Sequence, residues 1–486
     1  MNRELLVEGD PHQTRLAVLE AGRLVELFVE RHRDRGLAGN IYKGRVRRVL
    51  PGMRAAFVDL GLDRDGYLYL EEMAVDESEA PTAMPRRGEE VVVQIAREGL
   101  ADKGPRVTPE ITLPGRYLVL TPLAGRLGIS RRIEDPDERT RLETMALEHW
   151  GEALEATGCI VRTAAAGAPP EVLAREYEVL ADLWREIEGR AASYAAPALV
   201  HQEEELAVRV IRDQFGEDFS ALLVDGADTH RVIREYLDRV QPELLPRLER
   251  SRRGLFDRYR VDAGVDAALE PKAPLPSGGH LVINQTEALV AIDVNSGRDV
   301  GGGAAGGTGS FRDTVLRTNL EAVAEAVRQI RLRDLSGILV IDLIDMEREE
   351  DRRTVFERLE AELRKDRARK RVLGISEFGL VQLTRQRRRE NLERALTGPC
   401  PTCRGRGRIK SVATTCLELR RTCLAHAGRG CRQVAVRVHP AVLDGLNGSE
   451  SDVLDGMQGA FEVPILLRAD PGLHREQFVV TEIEGS

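Results

Sequence analysis

The chain has 486 residues, with 71 Lys and Arg against 80 Asp and Glu and a formal net charge of −9. This length predicts about three or four domains, and the acidic balance argues against a protein that coats nucleic acid by overall positive charge. No apolar run of transmembrane length and no secretory signal are visible, so we expect a cytoplasmic protein without a membrane span. The six cysteines are irregularly spaced and do not predict a disulfide framework.

The first part of the chain is predicted to be rich in strands. Short strands are expected within residues 1–36, and from Gly39 to about Thr121 apolar segments alternate with Gly and Pro turns, which is typical of a small barrel. Aromatic and basic side chains cluster in the barrel segment: Tyr42, Phe57, Tyr67, Tyr69, Lys43, Arg45, Arg47, Arg48 and Arg54. Barrels with such a face bind single-stranded nucleic acid by stacking and charge, although Phe57 between Ala56 and Val58 is equally typical of a core residue.

The middle of the chain is predicted to be largely helical. The expected helices and strand are residues 137–158, residues 169–192, Val208–Phe215, strand Ala221–Val224, Val232–Val240, and a basic helix near residues 350–371. Basic runs at residues 364–371 and 385–389 are typical of solvated helix faces, and they are equally suited to phosphate backbones.

Two apolar runs each end on an aspartate. They are Leu289–Asp293 and Ile338–Asp342, and residues 313–333 between them carry apolar side chains at helical spacing. This pattern predicts a βαβ unit whose parallel strands bring both carboxylates to one edge of a sheet, where a divalent metal can bind. Asn295, two residues after Asp293, would fix that carboxylate's orientation. Strand-end aspartates are also common as helix caps and turn residues, so this pattern alone leaves both interpretations open.

Cys400 and Cys403 form a CxxC pair followed by two glycines, which is typical of half a zinc knuckle. A tetrahedral site needs two further ligands. These would be among Cys416, Cys423 and Cys431, or the same pair of a second subunit. A redox CxxC is disfavoured because no thioredoxin-like context surrounds it. The glycine-rich stretch Gly301–Gly309 lacks the ending of a P-loop, and we interpret it as a flexible insertion.

Several motifs, distributed over nearly the whole chain, together resemble the ribonuclease E/G family. They are Gly39-Asn40-Ile41-Tyr42-Lys43-Gly44, Ala55-Ala56-Phe57-Val58-Asp59, Ser130-Arg131-Arg132-Ile133, Asp293-Val294-Asn295-Ser296, Arg331-Leu332-Arg333-Asp334-Leu335, Asp342-Leu343-Ile344-Asp345-Met346, Phe378-Gly379-Leu380 and Cys400–Gly407. Because only a compact tail follows the cysteine pair, the chain resembles the ribonuclease G branch more than the ribonuclease E branch. The glycine-rich stretch after Arg298 is longer than the resemblance leads us to expect.

The resemblance implies a multidomain α/β and α+β fold. Its expected parts are an RNase H-like part in two segments (1–36 and 215–280), an inserted S1 (OB-type) RNA-binding barrel (37–121), a 5′-sensor region (122–214), a DNase I-like catalytic α/β domain (281–399), a zinc link (400–410) and a small α+β C-terminal domain (411–486). The implied activity is Mg²⁺-dependent endonucleolytic cleavage of single-stranded RNA that leaves 3′-hydroxyl and 5′-phosphate ends. The implied processes are 5′-end maturation of small-subunit rRNA and mRNA decay.

The resemblance also assigns residue roles. Asp293 and Asp342 match the Mg²⁺ ligands and Asn295 matches the residue that orients the first of them, whereas Asp345 is not assigned as a ligand. Phe57, Tyr67 and Lys103 match RNA contacts of the barrel. The residues matched to a pocket for a 5′-monophosphate are Arg162 and Thr163, with Gly115, Val119, Arg131 and Arg369 around them. A guanidinium fork beside a hydroxyl also suits a terminal phosphate on physical grounds.

Cys400 and Cys403 match a pair that shares one Zn²⁺ with a second subunit, which implies a homodimer and leaves open whether dimers pair into tetramers. Two alternatives to the enzyme are a non-catalytic S1-type RNA-binding protein and a nucleotide-binding α/β enzyme. The second is disfavoured because no glycine fingerprint precedes Asp293.

Overall fold

The computed structural model describes residues 2–69, 85–99, 103–154, 157–297, 311–387, 389–426, 433–460 and 464–483. The chain divides into two compact units, Met1–Ala395 and Leu396–Ser486. Among the described residues, no helix combines the length and the apolar character needed to cross a bilayer.

The first sheet of the larger unit joins two distant parts of the chain. Its strands are β1 (Arg3–Gly9), β2 (Gln13–Glu20), β3 (Arg23–Arg31), β14 (Ala221–Asp225) and β15 (Leu248–Arg250), in the order β15-β14-β1-β2-β3. The helices that accompany it are α3 (Leu206–Gln214), α4 (Ala227–Val240), α5 (Leu255–Arg258) and α6 (Val261–Leu269). Strand β1 runs parallel to β14, with Leu5 opposite Leu222, and these apolar side chains pack with α3 and α4 into one core. Strands from residues 1–36 and from residues 215–280 therefore share this sheet, whereas Lys272–Pro274 of the second segment joins the last sheet of the larger unit.

A closed barrel interrupts this sheet in sequence. Five of the described strands form it: β4 (Ile41–Leu50), β5 (Ala55–Asp59), β6 (Gly66–Tyr69), β7 (Glu90–Arg97) and β8 (Arg106–Thr108). The pairings run β4–β5, β5–β6, β6–β8 and β8–β7, and β7 returns to β4 and closes the cylinder. The predicted barrel is thus confirmed.

A small sheet with two helices follows the barrel. It contains β9 (Leu113–Pro114), β10 (Leu118–Thr121), β11 (Leu127–Ile129) and β12 (Gly158–Val161), with α1 (Pro136–Leu154) and α2 (Pro170–Ser193). Strands β9 and β10, which the sequence analysis included in the barrel segment, pair within this sheet. Strand β13 (Ala198–His201) returns to the barrel and pairs with β4. The two expected helices are confirmed by α1 and α2, but α1 ends at Leu154, before the expected residue 158, where β12 begins.

The last sheet of the larger unit contains the predicted βαβ unit. Its elements are β16 (Lys272–Pro274), β17 (His280–Gln285), β18 (Leu289–Asn295), α7 (Phe311–Leu332), β19 (Gly337–Asp342), α8 (Glu349–Leu363), β20 (Lys370–Ile375), β21 (Leu380–Arg385) and the short α9 (Leu392–Leu396), with strand order β16-β17-β18-β19-β21-β20. Apolar side chains of α7 and α8 pack against one sheet face, where Val290, Ile292 and Val294 are buried. Asp293 alternates to the opposite face and is exposed, so this face of the sheet is open.

The basic helix predicted near residues 350–371 is shorter than expected, because α8 ends at Leu363. Asp366 provides the physical reason: its carboxylate accepts the backbone N–H of Ala368 at 3.0 Å and binds Arg385 at 2.8 Å. This local turn ends the helix, and the basic run then continues into β20.

Buried ion pairs tie α7 to the first sheet. The guanidinium of Arg331 is 3% exposed and donates to Glu20 and Glu26, at 2.9 Å in each case. On the same helix Glu325 accepts from Arg328 and, at 2.8 Å, from Arg23 of β3. Charges buried this deeply require such partners, so the sheet and the helix are held in one relative position.

The smaller unit is a sheet covered by helices. Its elements are α10 (Val412–His426), β22 (Gln433–Val438), α11 (Pro440–Leu446), α12 (Ser451–Ala460), β23 (Ile465–Ala469) and β24 (Phe478–Ile483), with strand order β23-β22-β24. Its core includes Leu419, Val434, Val436 and Met457. The α+β tail expected from the sequence is confirmed.

Replacing Arg331 by Met should lower the free energy of unfolding by about 3–5 kcal/mol at pH 7, because the half-buried carboxylates of Glu20 and Glu26 lose their main cationic partner. Burial raises the pKa of Glu20, but the hydrogen bond and charge of Arg331 outweigh it and the net pKa is lowered. The stabilisation is therefore fully present above the ordinary glutamate pKa, about 4.3, and is lost as the pH falls through the lowered value. Urea titrations at pH 7 and at about pH 3.5 measure the free energy of unfolding of the unaltered protein and of Arg331→Met. The difference between the two values should be smaller at the acidic pH.

Arg23→Met is the matched control, since Arg23 is largely exposed and its partner Glu325 keeps Arg328. This substitution should lower the free energy of unfolding by less than about 1 kcal/mol. Equal losses for the two variants would contradict the structural role given to Arg331.

Candidate functional site

The two aspartates predicted from the sequence lie side by side. Strands β18 and β19 are parallel, and Asp293 pairs in register with Asp342. Both are exposed on the open face of the sheet. The side-chain amide of Asn295 donates to Asp293 Oδ2 at 2.8 Å, which holds that carboxylate in one orientation. The predicted βαβ unit, and the place of the three residues within it, are thus confirmed.

The charge of this carboxylate pair is uncompensated within the described part of the chain, where no ion pair joins either group. Burial, and then the neighbouring charges of Asp293 and Asp345, raise the pKa of Asp342. Among the described residues, no set of three or more His, Cys, Asp or Glu side chains is placed to hold a metal ion. Two oxygen donors with excess negative charge nevertheless fit Mg²⁺, which commonly binds one or two carboxylates together with water and substrate phosphate.

Asn319 of α7 is a residue of this site that the sequence analysis missed. Its side chain is fully buried, donates to the carbonyl of Ile344 at 2.8 Å and accepts the N–H of Ile344 at 3.0 Å. Ile344 lies between Asp342 and Asp345. The amide therefore fixes the backbone of the loop that follows Asp342 at the end of β19.

The barrel presents an aromatic pair on its outer surface. Phe57 and Tyr67 are cross-strand neighbours with ring centroids 5.7 Å apart in an edge-to-face arrangement, and both are half-buried. The alternative that Phe57 belongs to the barrel core is therefore wrong, whereas Tyr42, grouped with it in the sequence analysis, is a core residue. Lys103 is exposed, and two residues later the carbonyl of Pro105 accepts the N–H of Tyr67 at 2.7 Å. The structure thus pairs Phe57 with Tyr67 and places the segment that carries Lys103 beside Tyr67.

The residues matched to a phosphate pocket gather at one end of the small sheet. Arg162 and Thr163 follow β12, and Thr163 Oγ1 lies 3.0 Å from Ser130 Oγ at the end of β11. One guanidinium nitrogen of Arg162 donates to the carbonyl of Gly115 and, at 3.0 Å, to Asp213. Arg131 is exposed directly after Ser130, so hydroxyl and guanidinium donors share one surface.

Glu176 shapes the same pocket and was not found from the sequence. Its buried carboxylate accepts the backbone N–H groups of Arg116, Tyr117 and Leu118, at 2.6–2.8 Å. A Cβ added at Gly115 would come within 2.6 Å of this carboxyl group, so the loop requires glycine at that position. The loop leads into β10, where Val119 pairs with Ile160 of β12.

The segment that carries Arg369 contacts this region through Arg367. Arg367 donates to the backbone carbonyls of Asp213 and Gln214, and Asp213 is also the partner of Arg162. Arg369 is exposed two residues later, and its carbonyl accepts the N–H of Gln386. The structure therefore connects the segment that carries Arg369 to the partner of Arg162.

The cysteine pair of the smaller unit forms a tight turn. The carbonyl of Cys400 accepts the N–H of Arg404, and the carbonyl of Cys403 accepts that of Arg406. Backbone N–H groups of Cys403 and Thr402 lower the pKa of the Cys400 thiol. A thiol stabilised as thiolate and lying on the surface fits a soft metal such as Zn²⁺, but two donors are half of a tetrahedral set.

The two helical cysteines considered as further ligands do not complete this set. Cys416 and Cys423 are fully buried in the core of the smaller unit, where α10 packs on its sheet. Cys431 and the glycine-rich stretch at residues 301–309 lie outside the described residues.

Comparisons with known proteins agree with these features. The sequence model of the "Ribonuclease E/G family" matches residues 112–388. The chain is 39% identical to ribonuclease G of Salmonella typhimurium, with 99% of each chain covered. It is 37% identical to ribonuclease G of Haemophilus influenzae over 98% of this chain and 99% of that protein. It is also 35% identical to ribonuclease E of Haemophilus influenzae, over 99% of this chain and 52% of that protein.

Proposed function

The chain belongs to the ribonuclease E/G family, and on this premise we propose that it is a Mg²⁺-dependent endoribonuclease of the cytoplasm that cleaves single-stranded RNA. In this proposal it prefers RNA with a 5′-monophosphate and acts in rRNA 5′-end maturation and mRNA decay. The observation that carries the proposal is the in-register pair Asp293 and Asp342 on an open sheet face, without a cationic partner among the described residues.

Each residue of the catalytic edge has one task in this proposal. Asp293 and Asp342 would hold the Mg²⁺, and Asn295 keeps the first carboxylate oriented through its 2.8 Å hydrogen bond. When bound, Mg²⁺ neutralises phosphate charge and lowers the pKa of water. Asn319 holds the loop after β19 in place, so that Asp342 keeps its position when a polyanion approaches.

Two other surfaces of the larger unit would hold the RNA strand. Phe57 and Tyr67 offer ring faces for bases and Lys103 a charge for the backbone, which is the usual way such barrels bind single strands. Arg162 and Thr163 would bind a terminal phosphate. Within the part of the chain that the structure describes, only one guanidinium nitrogen of Arg162 donates hydrogen bonds, so the guanidinium fork has capacity for a ligand.

The cysteine turn supports a metal link between two copies of the chain. Cys400 and Cys403 supply two of four zinc ligands, and the same pair of a second copy would complete the tetrahedron. The proposal is thus a homodimer joined by Zn²⁺, in which the buried Cys416 and Cys423 take no part.

Asp293→Asn and Asp342→Asn should each lower the single-turnover cleavage rate by at least about 1000-fold, because the amide cannot neutralise or hold the cation. Binding of a single-stranded RNA oligonucleotide, measured by fluorescence anisotropy, should be retained. Asp345→Asn is the matched control, since it removes a nearby exposed carboxylate outside the strand pair. Its single-turnover cleavage rate should stay within about tenfold of that of the unaltered protein. Binding by the unaltered protein without any Mg²⁺-dependent product would favour the non-catalytic RNA-binding alternative.

An oligonucleotide with a 5′-monophosphate should be cleaved faster than the same sequence with a 5′-triphosphate, which is too large for a pocket that closes on a terminal group. Arg162→Gln together with Thr163→Val should remove the preference and slow the monophosphorylated substrate by about 10- to 150-fold, the worth of a charged hydrogen bond. The measurement is kcat/KM for both substrates with both proteins. Equal rates for the two substrates with the unaltered protein would refute the sensor assignment.

Cys403→Ser should release zinc and yield monomers, because a serine hydroxyl is a poor zinc ligand. Zinc content by atomic spectroscopy and mass by analytical ultracentrifugation measure the two effects. Cys416→Ala, which alters a cysteine in the helical core, should keep both zinc and dimer. A zinc-loaded dimer of Cys403→Ser would contradict the proposed link.

A further inference from the structure

Phe378 is the most exposed of the large apolar side chains in the described residues, with 81% of its surface accessible. It lies in the turn between β20 and β21, in the Phe378-Gly379-Leu380 motif, to which neither the metal site nor the phosphate pocket assigns a role. An isolated exposed apolar side chain needs no explanation by itself. Its position relative to the paired carboxylates is the second observation.

The turn that carries Phe378 is rigidly built. The N–H of Gly379 donates to the carbonyl of Ser376 at 3.0 Å, and the N–H of Ser376 donates to the carbonyl of Leu380 at 2.9 Å. The hydroxyl of Ser376 also accepts the N–H of Leu380 at 3.1 Å. With φ of +76°, Gly379 takes the left-handed conformation that completes the turn. The backbone of Phe378 is therefore fixed at an exposed position.

The same turn is packed against the catalytic edge. Asp342 pairs in register with Leu380, two residues after Phe378. A Cβ added at Gly379 would lie 3.3 Å from the carbonyl oxygen of Leu343 and 3.4 Å from Asp345 Oδ1. Neighbouring strands are about 5 Å apart, and Phe378 is two residues from the strand partner of Asp342. The Cα atoms of Phe378 and Asp342 are therefore within roughly 10 Å of each other.

The strand that leads into the turn favours RNA as the occupant. Strand β20 carries cations at its opposite end, where Arg369 precedes the strand and Lys370 and the exposed Arg371 begin it. These cations attract a phosphate backbone, while a phenyl ring offers a base the flat apolar face on which single-stranded nucleic acids stack.

We propose that Phe378 is a substrate-binding residue that stacks on the nucleobase flanking the phosphate to be cleaved. This inference rests on the proposed function and deepens it, because it assigns a base contact next to the metal site. The stack would hold the sugar–phosphate backbone over Asp293 and Asp342. It would accept any base, since every base has a π face, and would therefore add affinity and register without strict sequence preference.

The test compares Phe378→Ala, Phe378→Trp and the control Leu147→Ala, which removes an exposed side chain from α1. The substrates are a 5′-monophosphorylated single-stranded RNA and the same RNA with an abasic site beside the cleaved bond. Phe378→Ala should lower kcat/KM on the intact RNA by about 5- to 150-fold. Phe378→Trp and Leu147→Ala should stay near the unaltered protein. With the unaltered protein, the abasic RNA should show a kcat/KM lower than that of the intact RNA by a similar factor. With Phe378→Ala, the abasic site should lower kcat/KM little further, because the substitution and the abasic site remove the same contact.

A direct readout of stacking uses 2-aminopurine in place of the flanking base, in an Asp342→Asn background that binds without cutting. Its fluorescence should be quenched by the protein with Phe378 or Trp at this position, and not by the protein with Ala. Equal kcat/KM for Phe378→Ala and the unaltered protein, or unchanged quenching, would overturn the inference. So would conversion of dimers to monomers by Phe378→Ala, since the ring would then be covered by a second copy. Failure of the unaltered protein to cleave RNA at all contradicts the proposed function itself, an outcome distinct from these.

Discussion

Two carboxylates held side by side on neighbouring parallel strands are the constraint on which the rest of the larger unit depends. At a separation near the strand spacing, their repulsion is about 1–3 kcal/mol between exposed and half-buried limits. The register of β18 and β19 places the two carboxylates on adjacent strands. Burial, and then the charges of Asp293 and Asp345, raise the pKa of Asp342. A site strained in this way persists only if the surrounding fold holds both strands and the loop after them.

Helix α7 provides that support from three directions. Its apolar side chains, among them Val323, Val327 and Ile330, pack under β18 and β19. Asn319 binds the backbone of Ile344, immediately beyond Asp342. At its end, Arg331 is held by Glu20 and Glu26 of the first sheet. The helix therefore links the first sheet rigidly to the strands that carry the paired carboxylates, and the two parts of the larger unit form one scaffold.

Features with a local sequence signal could be predicted, whereas contacts between distant parts of the chain could not. The βαβ unit was predictable because continuous apolar runs and helical spacing are local signals, and parallel pairing then brings Asp293 beside Asp342. The role of Asn319 was not predictable. A polar residue in a helical pattern indicates a solvated position, and its partner Ile344 comes close only in the folded structure. Likewise Arg162 meets Asp213, 51 residues away, and Glu176 binds a loop about 60 residues earlier. Phe57 stayed ambiguous because a half-buried and a core position share the same alternation.

The segment from Arg367 to Gly379 connects the parts of the site that would meet the RNA. Arg367 binds the backbone at Asp213, whose carboxylate holds Arg162, and β20 then runs to the turn that carries Phe378 beside Asp342. From Arg369 to Phe378 the chain spans at most about 30 Å. Because β20 pairs with β21 from Lys370 to Ile375, the distance between the proposed phosphate pocket and the carboxylate pair is set by strand geometry. A hairpin of this sheet thus keeps the two ends of the proposed RNA path at a fixed separation, which a flexible connection would not do.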